Sequence, residues 1–219
     1  MENGHTQRGW KLTNPTGQTH GETQWGPGVT HTARGVGTAF CSADLIHFYS
    51  HPIVAILHNP WHGAYIDPLL WEVEAAEPIF NDRGLKLGAK KLTTLRLCPV
   101  PQLSLLVRVR YAILVAKKVF SDKAWVTWAD AWLAGENRGY SLAVDASGYA
   151  TFYAGCIAAS AAARAAANYA AHAARADVSV DEAAATCVAF AARAASSPLD
   201  FPSLAEQAVR EEALLTGAV

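Results

Sequence analysis

A chain of 219 residues with 51% hydrophobic side chains has enough apolar material for one large core or two small ones. Its formal net charge of −1 removes the broad cationic field that would coat duplex phosphates, so no extensive nucleic-acid surface is expected. Cys41, Cys98, Cys156 and Cys187 form no CxxC pair, which argues against a zinc ribbon or a disulfide framework.

The first residues are polar and turn-rich, without the charged-then-apolar layout of a secretory signal, and a cytoplasmic protein is expected. Residues 9–41 are dense in Gly and Thr, and Asn14-Pro15-Thr16-Gly17, Gly26-Pro27-Gly28 and Gly35-Val36-Gly37 punctuate short β-like pieces. This pattern predicts a small antiparallel meander. Ser42 has the place of an N-cap for a short helix over Ala43–Tyr49. A second helix is expected from Pro52 to Leu57, with His51 before Pro52 and Asn59 before Pro60 setting its limits, because the residue preceding proline is pushed out of the α region.

Leu69–Ala75 alternates apolar with acidic residues, and after the turn Asn81-Asp82-Arg83-Gly84 a second alternating run extends from Leu85 to Leu97. The two read as one hairpin with a buried face. Gln102–Phe120 carries apolar residues at helical spacing and is expected to cover that sheet. A further helix, capped by Ser121, places Trp125, Trp128 and Trp132 on one face and stops at Gly135. That stripe reads as core or interface.

From Ala143 to Ala195 the chain is alanine-rich and strongly helix-favouring. Arg164, Asn168, His172 and Arg175 interrupt the tract and make it a poor transmembrane candidate, so no membrane association is expected. Asp177-Val178 divides it, the capping box Ser179–Glu182 opens a new helix, and Ser203–Glu206 opens a last one ending near Gly217. Alanine buries little surface per residue, so these helices need close packing or self-association, and a homo-oligomer is expected. The architecture that follows is α+β: a histidine-rich domain over residues 1–120 with a small antiparallel sheet and short helices, then a helical packing or oligomerisation region over 121–219.

Seven of the eight histidines, His5, His20, His31, His47, His51, His58 and His62, fall within the first 62 residues. Imidazole titrates near neutral pH and serves as acid, base, metal ligand or phosphate donor. His47/His51 and His58/His62 have i,i+4 spacing, but Pro52 and Pro60 disturb both turns and no HExxH is present, so no metal site is assigned. Two histidines flanking a phosphate would serve an in-line displacement, and His31 and His47 are the catalytic candidates, with Lys86 or Arg34 as the cation. Cys41 and Ser42 sit at an expected strand-to-helix junction, as a core thiol and a plain N-cap or as nucleophiles. Trp25, Trp61 and Trp71 offer stacking faces, and Arg34, Lys86, Lys90 and Lys91 offer countercharge.

The series Trp25-Gly26-Pro27-Gly28-Val29-Thr30-His31, Cys41, His47, Tyr49, Pro52, Asn59-Pro60, His62, Trp71–Glu74 and Leu85–Gly88, followed by Trp128–Leu133 and an alanine-rich tail, resembles an uncharacterised family of bacteriophage and prophage proteins. The resemblance implies an accessory protein directed at host defence in the host cell cytoplasm. It carries over no catalytic residue or cofactor. Within it, three functions compete: sequestration of a small nucleotide-like anion, histidine-dependent cleavage of one, and inhibition of a host protein by the helical half. The leading expectation is a ligand cleft between the histidine-rich segment and the Leu69–Ala75 hairpin. Its polar contacts are His31, His47 and His62, its aromatic walls Trp25 and Trp61, and its countercharge Lys86.

Overall fold

The computed structural model of the chain describes residues 5–151, 157–175 and 181–217. It is an α+β protein that divides into two compact units, Met1–Pro101 and Gln102–Val219. The boundary therefore falls about twenty residues before the expected position at 120.

In the first unit, β1 (Thr6–Thr13), β6 (Leu69–Ala76), β9 (Lys91–Cys98) and β4 (Thr30–Thr32) form an antiparallel sheet in the order β1-β6-β9-β4. A second antiparallel sheet has the order β5-β8-β7, from Ile46–Phe48, Leu87–Ala89 and Ile79–Asn81. The short strands β2 (Gln18–Thr19) and β3 (Thr23–Gln24) pair around a single 3-10 turn, His20–Glu22. One bridge joins the two larger sheets: Trp10 N donates to Tyr49 O at 2.9 Å and Tyr49 N donates to Trp10 O at 2.7 Å. Gly9 permits this approach, since a Cβ there would lie 2.6 Å from Tyr49 O and 2.5 Å from the Phe48 ring. Trp25, Phe48, Trp71, Val73, Leu87 and Leu92 fill the core of the unit.

The expected hairpin is corrected. Its second run breaks at Lys90 into β8 and β9, which belong to different sheets, and the turn at Asn81–Gly84 joins β7 to β8. Lys90 explains the break, because its ammonium donates to the carbonyls of Gly35, Gly37 and Asp44 and pins the 35–44 loop against the strand. The same loop corrects the helix expected over Ala43–Tyr49. Asp44 turns its carboxylate back onto the N–H groups of Gly37 and Ala39, and Ser42 Oγ donates to Ala39 O, so local polar bonds hold a turn and the chain enters β5. Helix α1 spans Pro52–His62, running past the expected stop at Leu57 with Pro60 in its last turn. Its N-cap is His51, whose Nδ1 accepts from Ile53 N at 3.3 Å.

The second unit holds α2 (Leu105–Lys117), α3 (Lys123–Leu133), α4 (Tyr140–Thr151), α5 (Ile157–Ala174), α6 (Asp181–Ala194) and α7 (Phe201–Thr216). Helix α2 packs against α5, α6 and α7 as a central member of this bundle. Asp122 and Asp200 cap α3 and α7 in place of the expected Ser121 and Ser203, each accepting from the backbone N–H three residues on. The expected division at Asp177-Val178 lies outside the described residues, as do Ser179 and Val180 of the capping box. Alanines at 162, 163, 166, 167, 170 and 171 are buried along α5, where small side chains let helix backbones approach closely. Trp125, Trp128 and Trp132 are buried, the core outcome expected of that stripe. Arg110, 1% exposed, is satisfied by Glu211, Glu212 and the Leu133 carbonyl, while Arg138 reinforces Glu212 from a second side at 2.9 Å.

Candidate functional site

Strand alternation puts Gly9, Lys11 and Thr13 on one face of β1. That face turns inward, where Thr13 Oγ1 accepts from Trp71 Nε1 at 3.1 Å and the Lys11 ammonium lies 4.7 Å from the centre of the Trp25 ring. Lys11 is 7% exposed and donates to His47 O at 3.0 Å, and burial pulls its pKa down to about 8. Lys86, just before β8, is 4% exposed, and its Nζ donates to Cys41 Sγ at 3.0 Å. Among the described residues neither ammonium pairs with a carboxylate.

Both lysines line one cavity of about 550 Å³ in the first unit. Trp25, His31, His47 and His62 also line it, as do His20, Arg34, Tyr49 and Tyr65. Five of the six expected ligand-binding residues thus share one cavity, and the imidazoles of a scattered sequence segment converge. Trp61 does not join them. It is 46% exposed, and one residue along a helix turns the side chain by about 100°, so the wall that takes His62 leaves Trp61 outside. No residue of Leu69–Ala75 lines the cavity either, so the expected position beside that strand is corrected: β1 and the segments around residues 19–25, 31–34, 42–49 and 62–65 enclose it, with Lys86. His5, His51 and His58 lie outside the lining. His58 is buried and bonds the Leu85 carbonyl through Nδ1 at 3.0 Å.

The lining histidines are held by specific hydrogen bonds. His47 Nε2 accepts from Cys41 N at 3.3 Å, which places the proton of its neutral ring on Nδ1. Burial, then Lys86 and Lys11, pull its pKa down to about 4. His62 Nδ1 shares a hydrogen bond of 3.1 Å with Tyr49 Oη. Burial, then Lys86, His58 and His47, push this imidazole down to about 2, and burial with the neighbouring Tyr65 and Cys41 pushes the Tyr49 hydroxyl well up. His31 Nε2 donates to Gln24 O at 2.8 Å, with the ring edge-on to Trp25 at 4.6 Å. Asn59 positions Tyr65 by bonding both its backbone N–H and its carbonyl, and this returns the chain from α1 to the cavity wall. Lys11, Arg34 and Lys86 face one lining carboxylate, Glu22. The charged side chains of the lining are therefore predominantly cationic, which suits an anionic ligand such as a phosphate or carboxylate.

Sequence reasoning missed Lys11 and Tyr49 as site residues. For Lys11 the local signal pointed the other way, because a lysine between Trp10 and Leu12 reads as a solvated strand position. Among the described residues no group of three His, Cys, Asp or Glu side chains converges as a metal site, and no helix is long and apolar enough to cross a membrane. A shallower groove of about 670 Å³ in the second unit is lined by Trp128, Leu142 and Tyr149, with Asp122 already engaged as an N-cap, and it gathers no histidine. Comparison with family models, with curated proteins and with solved structures gave no match, so the reading of the cavity rests on its own chemistry.

Proposed function

We propose that the first unit binds a small nucleotide-like anion in this cavity and sequesters it, as a phage-type accessory protein acting against a host defence signal would. The observation that carries the reading is the pair of buried ammonium groups, Lys11 and Lys86, held in one cavity without a carboxylate partner among the described residues. A buried cation without a counter-ion is costly, and an anionic ligand supplies the missing charge. Trp25, Tyr49 and Tyr65 provide aromatic surface beside it.

Burial and the neighbouring lysines hold His47 and His62 neutral at pH 7, so neither of these two rings carries the proton that an in-line displacement gives its leaving group. The test is native mass spectrometry of the full chain after incubation with a nucleotide pool, followed by denaturation and identification of the released molecule. Recovery of an unaltered phosphate-bearing ligand, lost in Lys11→Met and weakened in His31→Ala, supports sequestration. Release of a cleaved product that requires His31 or His47 would replace it with catalysis. Uptake of no anion by any form would end the reading.

A further inference from the structure

Three cysteines lie among the described residues, and their surroundings differ. Cys187 is buried and donates to Ala112 O at 3.3 Å. Cys98 is partly covered, with its sulfur 3.9 Å from Arg96 O. Cys41 is exposed, in a left-handed backbone conformation at φ 59°, and its sulfur receives the Lys86 ammonium at 3.0 Å. Lys86 is 96% buried by the complement of its 4% exposure, and sulfur is its one hydrogen-bond partner among the described residues. A thiol is a weak acceptor, so this ammonium still seeks a stronger one. The thiolate is the form of cysteine that attacks, and Cys41 combines solvent access with a countercharge at contact distance.

We propose that Cys41 is a modification site for hydrogen peroxide and related electrophiles, and that its oxidation withdraws Lys86 from the anion cavity. The Cys41 sulfur attacks one peroxide oxygen, an S–O bond forms and the O–O bond breaks. The leaving hydroxide takes a proton and departs as water, with sulfur oxidised by two electrons and peroxide reduced by two. The new oxygen on Cys41 is a better acceptor for Lys86 Nζ than the sulfur was, and it competes with a ligand anion for the same ammonium. The second step rests on the binding reading above; the first does not.

The experiment compares Cys41 with Cys98 as an internal reference in the full chain. Iodoacetamide labelling followed by peptide mass spectrometry is expected to modify Cys41 at least about tenfold faster than Cys98, and peroxide followed by dimedone to leave the adduct on Cys41. Equal rates in the wild type overturn the modification site. Lys86→Met, if folded by circular dichroism, is expected to slow Cys41 and leave Cys98 alone; an unchanged Cys41 rate overturns the role of the ammonium. Binding of inorganic phosphate is then compared before and after peroxide, with a weakening of about tenfold expected. Unchanged phosphate affinity after full oxidation of Cys41 overturns the link to the cavity. A fast Cys41 in a reduced protein that takes up no anion instead overturns the binding reading and leaves the thiol chemistry standing.

Discussion

Replacing Lys11 by methionine is expected to stabilise the empty protein while removing its capacity for anions. Burial lowers the Lys11 pKa from 10.5 to about 8, and at roughly 1.4 kcal/mol per pH unit the folded state bears a penalty of about 3 kcal/mol for holding the charged form. Methionine fills similar volume without charge but forfeits the hydrogen bond to the His47 carbonyl, an ordinary bond worth about 1 kcal/mol once the amine is neutral. The net gain at pH 7 is about 2 kcal/mol, which urea unfolding resolves. The sign changes with pH. Between the folded value near 8 and the unfolded value near 10.5 the unfolded chain binds the extra proton, so wild-type stability rises with pH across that window. The advantage of Lys11→Met shrinks there and reverses above it. A variant less stable than wild type at pH 7, or a stability gap that stays constant from pH 8 to 10.5, would refute the reasoning.

His58 is held down at about 4 by burial, against the opposing bond to the Leu85 carbonyl. It contributes stability that is complete above pH 6.5 and lost as pH falls towards 4, about 3 kcal/mol in all, and a urea series is expected to show this slope reduced in His58→Leu. Glu212→Gln leaves Arg110 buried beside a neutral amide and removes a carboxylate shared with Arg138; the expected cost is about 3–5 kcal/mol in urea unfolding, and a change below 1 kcal/mol would assign the network to Glu211 instead. Gly9→Ala drives a methyl group against the Tyr49 carbonyl and the Phe48 ring. It is expected to cost about 2 kcal/mol or more and to weaken ligand uptake by shifting β5.

The sequence was most informative where residue chemistry is rare. Four of the seven histidines crowded into the first 62 residues line a common cavity with Trp25 and Lys86, and the tryptophans of α3 are buried as their spacing implied. The local rules failed where a long-range polar contact overrode them. Ser42 looked like a helix cap, but Asp44 and Lys90 tie the preceding loop into turns, and the residues that follow become β5. Pairing of Leu69–Ala75 with the run after Asn81 was legible only in part, because Lys90 splits that run between two sheets. Lys11 was hidden for a similar reason: a strand pattern shows that a side chain alternates, but not that β5, bridged to β1 through Tyr49 and Trp10, brings the His47 carbonyl to its ammonium.

Calorimetric titration of the full chain with adenosine monophosphate and with inorganic phosphate, in wild-type and Lys11→Met/Lys86→Met proteins, addresses the central claim most directly. The account predicts that the wild type takes up at least one of these anions with proton uptake by the cavity, and that the double variant, folded, takes up neither. Equal affinity in the two proteins, or no binding of any phosphate-bearing anion by the wild type at low salt, would contradict it.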